Sequence, residues 1–199
     1  MLGLSFVRWL VILSALISII GASDYIRETW QGKTQPNRIT WSIWTLGPLI
    51  SATIAVTTGA DIWATVRVFL AGFLPLLVFL ASFTNPNSYW RLRKFDAVCG
   101  GFSLLALVLW LMIEAPRTAI LCAIAGDWCA FLPTFIKAWR YPETETGTFY
   151  LATFISLVIV LPAIPEWTIE NAAFQLHLLI ASGLLLLAVY RKRLHWHGL

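Results

Sequence analysis

Seven mostly apolar stretches, at 3–22, 40–58, 63–83, 95–113, 118–139, 147–165 and 171–190, decide what this chain can fold into. Each approaches the ~20 residues that an α-helix needs to cross a hydrocarbon core about 30 Å thick. Only 12% of the 199 residues are Asp, Glu, Lys or Arg, and 59% are hydrophobic, whereas a water-soluble domain carries about 25% charged residues. Open sheet edges cannot be satisfied in lipid, and the apolar runs lack the alternation of a barrel strand. The pattern therefore predicts an all-α membrane protein with seven transmembrane helices in a single integral domain over 1–199. The connections are too short to hold a second domain.

Charge predicts the orientation. With seven crossings, one side collects Arg27, Lys33, Arg38, Arg91, Arg93, Lys94, Lys137, Arg140, Arg191, Lys192 and Arg193, and the other only Arg8, Arg67 and Arg117. Eleven cations against three is a strong positive-inside bias. It predicts an outward N-terminus and a cytoplasmic basic tail over 191–199. The formal net charge of +4 does not point to nucleic acid, because these cations sit at helix ends beside lipid headgroups. In the tail, His195-Trp196-His197 reads as part of a lipid-facing anchor more readily than as a metal site. Gly21-Ala22-Ser23 resembles a signal cleavage site, but the long first run and its internal counterpart at 118–139 predict a retained helix. Compactness and the lack of a targeting signal suggest a bacterial inner (plasma) membrane.

The chain also repeats itself. Arg8 and Trp30 bracket the first apolar run, and Arg117 and Trp139 the fifth, with the same separation of 22 residues. Each Trp is followed by a short polar turn containing proline, Gly32-Lys33-Thr34-Gln35-Pro36-Asn37 in one copy and Arg140-Tyr141-Pro142-Glu143-Thr144-Glu145 in the other. At an offset of 110 residues, Arg67 aligns with His177 and Ala71 with Ala181. Two three-helix units in direct succession would insert upside down relative to each other, and one extra helix restores parallel orientation. The predicted plan is therefore 3+1+3, with repeats at 3–83 and 118–190 and a linker helix at 95–113, a parallel-repeat arrangement used by transporters.

This plan, with its outward N-terminus and helix-end turns, resembles the PQ-loop superfamily, which includes the SWEET sugar transporters, lysosomal amino-acid exporters and the KDEL receptor. The second copy, Pro133-Thr134-Phe135-Ile136-Lys137-Ala138-Trp139, keeps the proline of the family motif and lacks its glutamine. The first copy, Asp24-Tyr25-Ile26-Arg27-Glu28-Thr29-Trp30, lacks both and keeps the Lys33-Thr34 turn. In layout the chain looks closer to uncharacterised bacterial seven-helix members than to a sugar-transporting SWEET.

Among polar residues Asp127 stands out, because an ionised carboxylate near the middle of a span costs roughly 2.5–3.5 kcal/mol and should face the bundle interior or a wet cavity. It reads as a proton- or substrate-binding group, or as a structural carboxylate bonded to a neighbouring helix or held by Arg67. Arg67 and His177 lie in the third helices of the two units, where the resemblance implies that polar side chains face a central pathway. Arg67 is also placed to snorkel to the surface, and the imidazole of His177 suits either proton coupling or a neutral hydrogen-bonded position. Trp128, the only mid-span tryptophan, could stack a ring-shaped solute or simply pack. Pro48, Pro75 and Pro133 interrupt apolar helices, as packing kinks or, as the resemblance implies, as hinges; Gly47-Pro48 is the most hinge-like. Trp9, Trp63, Trp110 and Trp167 at one boundary, and Trp30, Trp41, Trp44, Trp90, Trp139 and Trp196 at the other, form an aromatic belt that needs no ligand. Cys99, Cys122 and Cys129 read as small hydrophobes.

There is no phosphate loop, zinc-protease signature or nucleophile elbow, and too few polar groups converge for an intramembrane enzyme, so neither catalysis nor a cofactor is expected. The leading expectation is a small-solute transporter working by alternating access, with the bilayer and a small solute or a proton as its partners. The alternative is a non-transporting receptor or adaptor that works through Lys137, Arg140, Glu143 and Glu145 in the turn between helices five and six. Self-association into a homo-oligomer is compatible with either.

Overall fold

A computed structural model describes residues 2–57, 59, 62–164 and 166–194, and His195, Trp196 and His197 of the tail lie outside them. Among these residues the fold is all-helical, with seven α-helices and no strand. They are α1 (Leu2–Trp30), α2 (Arg38–Thr57), α3 (Ile62–Ala81), α4 (Lys94–Met112), α5 (Pro116–Arg140), α6 (Gly147–Val160) and α7 (Phe174–Leu194). Five of them are long and apolar enough to cross a membrane. Of the other two, α3 is an apolar helix of 20 residues, Ile62–Ala81, and α6 is the short one, its apolar helix covering Gly147–Ala163. In α6 the cause is local: the α-helix ends at Val160 and tightens into a 3-10 turn at Leu161–Ala163, where Pro162 cannot donate a helical hydrogen bond.

The opposite deviation occurs in α1, which runs to Trp30 although its apolar stretch ends at 22. Its polar last turns find remote partners. Thr148 Oγ1 donates to Asp24 at 2.7 Å, Tyr25 Oη donates to Glu145 at 2.7 Å, and Thr146 Oγ1 donates to Glu28. At its other end α7 emerges from a π-helical turn, Ile169–Ala173, and it continues through Arg191, so the start of the predicted tail is helix.

Helix packing follows a simple scheme. α3 packs against both α1 and α2, and α7 against both α5 and α6. α1 lies along α6, α2 touches α5, and α4 lies outside, against α5 and α2. Lipid tails are as apolar as leucine, so such contacts depend on close approach and interhelical hydrogen bonds. Gly21 provides the approach of α1 to α6: a Cβ there would stand 2.3 Å from that of Ala152. Gly126 does the same for α5 against α4, where an added Cβ would meet the Ala106 methyl at 2.7 Å. Ser156 Oγ donates to the Ser14 carbonyl at 2.8 Å, a further tie between α1 and α6.

The core gathers Tyr25, Trp41, Val78, Phe131, Tyr150 and Leu185. Trp41, expected in the aromatic belt, is fully buried here, with ring centroids 4.9 Å from both Tyr25 and Phe149. Trp9, Trp30, Trp139 and Trp167 are exposed. The end of the bundle that carries the α1–α2 and α5–α6 turns is closely tied. The Arg38 guanidinium donates to the Ser82 carbonyl at 2.7 Å and covers the Phe83 and Tyr89 rings, and Gln35 N donates to the Thr144 carbonyl at 3.0 Å.

Candidate functional site

Two acid–base pairs are built on α5, and they differ in kind. The first lies near the middle of the helix. Because Gly126 is pressed against α4, the next residue, about 100° further round the helix, can face α7. Asp127 Oδ2 lies 2.7 Å from His177 Nε2, joining α5 to α7, with side chains 14% and 3% exposed. Aromatic rings enclose the imidazole. Trp128 meets it edge-on with centroids 4.8 Å apart, and Phe174 lies at 5.8 Å. Trp128 is itself held edge-on by Phe131 at 5.0 Å. His177 Nδ1 is buried and has no hydrogen-bond partner among the described residues. Five other buried side-chain atoms of the described residues share that state, among them Trp41 Nε1, Thr134 Oγ1 and Glu145 Oε1.

The other residues singled out in the sequence lie elsewhere. Arg67 does not hold Asp127; its Nη2 donates to Gln175 Oε1 at 3.1 Å, tying α3 to α7. Gly47 and Pro48 lie in α2, Pro75 in α3 and Pro133 in α5, each within a helix that continues past it. Pro75 and Pro133 are buried, and a Cβ added at Gly47 would meet nothing within 4 Å. The three cysteines are free thiols, with Cys99 buried.

The second pair went unrecognised in the sequence. Lys137, one turn before the end of α5, forms an ion pair with Glu145 in the α5–α6 turn, with side chains 1% and 0% exposed. Tyr25 and Tyr150 both donate to Glu145 Oε2, at 2.7 and 2.8 Å, and Lys137 Nζ also donates to the Gln35 carbonyl. The indole of Trp90 lies 5.4 Å from that ammonium. One buried carboxylate thus ties α1, α5, α6 and the α1–α2 turn together. The available signal was spacing: Ala130, Thr134 and Lys137 recur at helical period, and all three are buried. This corrects the adaptor expectation, since two of its four surface residues are interior; Arg140 and Glu143 remain exposed.

Beside this ion pair a cleft of about 560 Å³ opens between the ends of α1 and α7 and the α5–α6 turn, with Asp24, Glu28, Glu143 and Lys33 in its walls. Asp127 and His177 do not line it. No protein-family model, curated protein or solved structure matches this chain.

Proposed function

We propose that the protein is a small-solute membrane transporter in which Asp127 and His177 form the proton- or substrate-binding site. The observation that carries this reading is their 2.7 Å contact within the bundle, with an imidazole nitrogen left over. A carboxylate that shares hydrogen with an imidazole can exchange a proton, and the remaining nitrogen can present a donor or an acceptor to a solute. The enclosing Trp128 and Phe174 rings favour a small solute with an apolar face.

The proposed architecture is a parallel pair of three-helix repeats, 3–83 and 118–190, with 95–113 as the linker, of PQ-loop or SWEET-like type. Two features of the packing support it. The third helix of each unit lies against its first and second. Exchanging the units also converts the α1–α6 contact into the α5–α2 contact, and both exist. In the proposed orientation the basic end, with its Lys137–Glu145 pair, faces the cytoplasm and is closed, and alternating access requires that pair to part.

The test is solute-driven proton movement in proteoliposomes containing a pH-sensitive dye, across a panel of small sugars, amino acids and organic acids. One or more solutes should move protons with the wild type. Asp127→Asn and His177→Gln should lose that flux by about a hundredfold while melting as the wild type does. Flux unaltered in folded Asp127→Asn would overturn the assignment of the site. With Lys137 and Glu145 inside, only Arg140 and Glu143 of the four residues named for the receptor or adaptor reading are exposed.

A further inference from the structure

A second cleft, about 510 Å³, opens between the α3–α4 connection and the end of α5. Its walls include Tyr89, Trp90, Tyr141, Arg91 and Arg93, and no carboxylate lines it. Trp90 forms a fixed floor, held by the Tyr141 ring at 5.7 Å and by two cations, Lys137 at 5.4 Å and Arg93 at 5.8 Å. Arg91 and Arg93 are exposed, and neither forms an ion pair among the described residues. The nearby acid, Asp96, is buried and already engaged: Oδ2 accepts from Arg93 N at 2.6 Å and Oδ1 from Asn37 Nδ2 at 3.2 Å. The first of these bonds fixes the backbone at Arg93, and Asp96 pairs directly with neither guanidinium.

Following the arginines in the chain, α4 carries Phe95, Val98 and Phe102, all exposed and spaced at helical period along one stripe of a peripheral helix. Two guanidinium groups, a rigid aromatic floor and an apolar track leading away from them make a site with a polar head and an oily extension. We infer that this cleft binds the anionic headgroup of a phospholipid, with its phosphate on Arg91 and Arg93 and an acyl chain along Phe95, Val98 and Phe102. Arginine suits the task because its planar fork can grip a phosphate through two hydrogen bonds. A free phosphate or a phosphorylated solute would use the same guanidinium groups and would gain nothing from the stripe on α4. The site depends on insertion in a bilayer and is independent of whether the bundle carries a solute.

The experiment places the full chain in nanodiscs of phosphatidylcholine doped with phosphatidylglycerol and measures, by native mass spectrometry, the phosphatidylglycerol retained on release. The wild type should retain it in preference to phosphatidylcholine. Arg91→Gln/Arg93→Gln should lower retention by at least about tenfold. Arg140→Gln, an exposed cation at the same end but outside the cleft, should leave retention unchanged, and Phe95→Ser/Val98→Ser should weaken it. Equal loss in Arg140→Gln would mean diffuse surface attraction and would overturn the site. Displacement by inorganic phosphate alone, with no effect of Phe95→Ser/Val98→Ser, would assign the cleft to free phosphate and overturn the lipid. If the double arginine variant fails to insert, Arg91→Gln alone is compared with Arg91→Lys, and retention equal to the wild type in both overturns the proposal.

Discussion

The Asp127–His177 and Lys137–Glu145 pairs share a helix and lie ten residues apart, yet they respond oppositely to burial. At Lys137–Glu145 the surroundings engage both charges: two tyrosine hydroxyls on one carboxylate oxygen, the ammonium against the other, and a backbone carbonyl and an indole beside that ammonium. At Asp127–His177 the carboxylate keeps 14% exposure and the imidazole keeps an unmatched nitrogen. A closed network gives rigidity, and an open one keeps capacity for another molecule. Composition cannot separate the two cases; the state of the remaining lone pairs and protons does.

That contrast can be tested through stability. Lys137→Met strands the buried Glu145 charge and should cost about 3–5 kcal/mol, read as a large fall in melting temperature in detergent. Lys137→Met/Glu145→Gln keeps an acceptor for both tyrosines and removes both charges, so it should recover most of that loss. A single variant as stable as the wild type would break the comparison at its stronger side. Gly21→Val tests the α1–α6 seam that the network spans. Overpacking against Ala152 should cost about 1–3 kcal/mol, and Gly21→Ala less, by the same melting assay. Asp127→Asn preserves an acceptor for His177 and should shift stability by less than about 1 kcal/mol; a larger loss would show the mid-helix pair to be structural as well. Smallest of all, Gly47→Ala adds a methyl where nothing lies within 4 Å and should stay within about 0.5 kcal/mol of the wild type.

Hydropathy located all seven helices, because a span must satisfy its backbone internally and so leaves a continuous apolar run. It misjudged the ends wherever polar residues had distant partners. Asp24, Tyr25 and Glu28 resemble a loop after the first span until Thr148, Glu145 and Thr146 are seen against them, more than a hundred residues away in the chain. Asp127 was legible from its depth alone, since a carboxylate there is costly. Its partner was left open between Arg67 and a neighbouring helix, and packing gives His177 to Asp127 and Arg67 to Gln175. Lys137 was hidden by its position near a helix end, where a lysine normally extends to headgroups. Only the convergence of Glu145, Tyr25 and Tyr150 on one point reveals it as interior.

The unequal lengths of α1 and α6 bear on the surrounding bilayer. The 14 residues of α6 and the 3-10 turn that continues it rise roughly 27 Å, beside an α1 of 29 residues and roughly 43 Å. Against a hydrocarbon slab about 30 Å thick, that is a deficit on one flank. In the proposed seven-span arrangement, lipids bordering α6 compress slightly to meet it, and changing acyl-chain length should alter the protein's behaviour with no change in sequence.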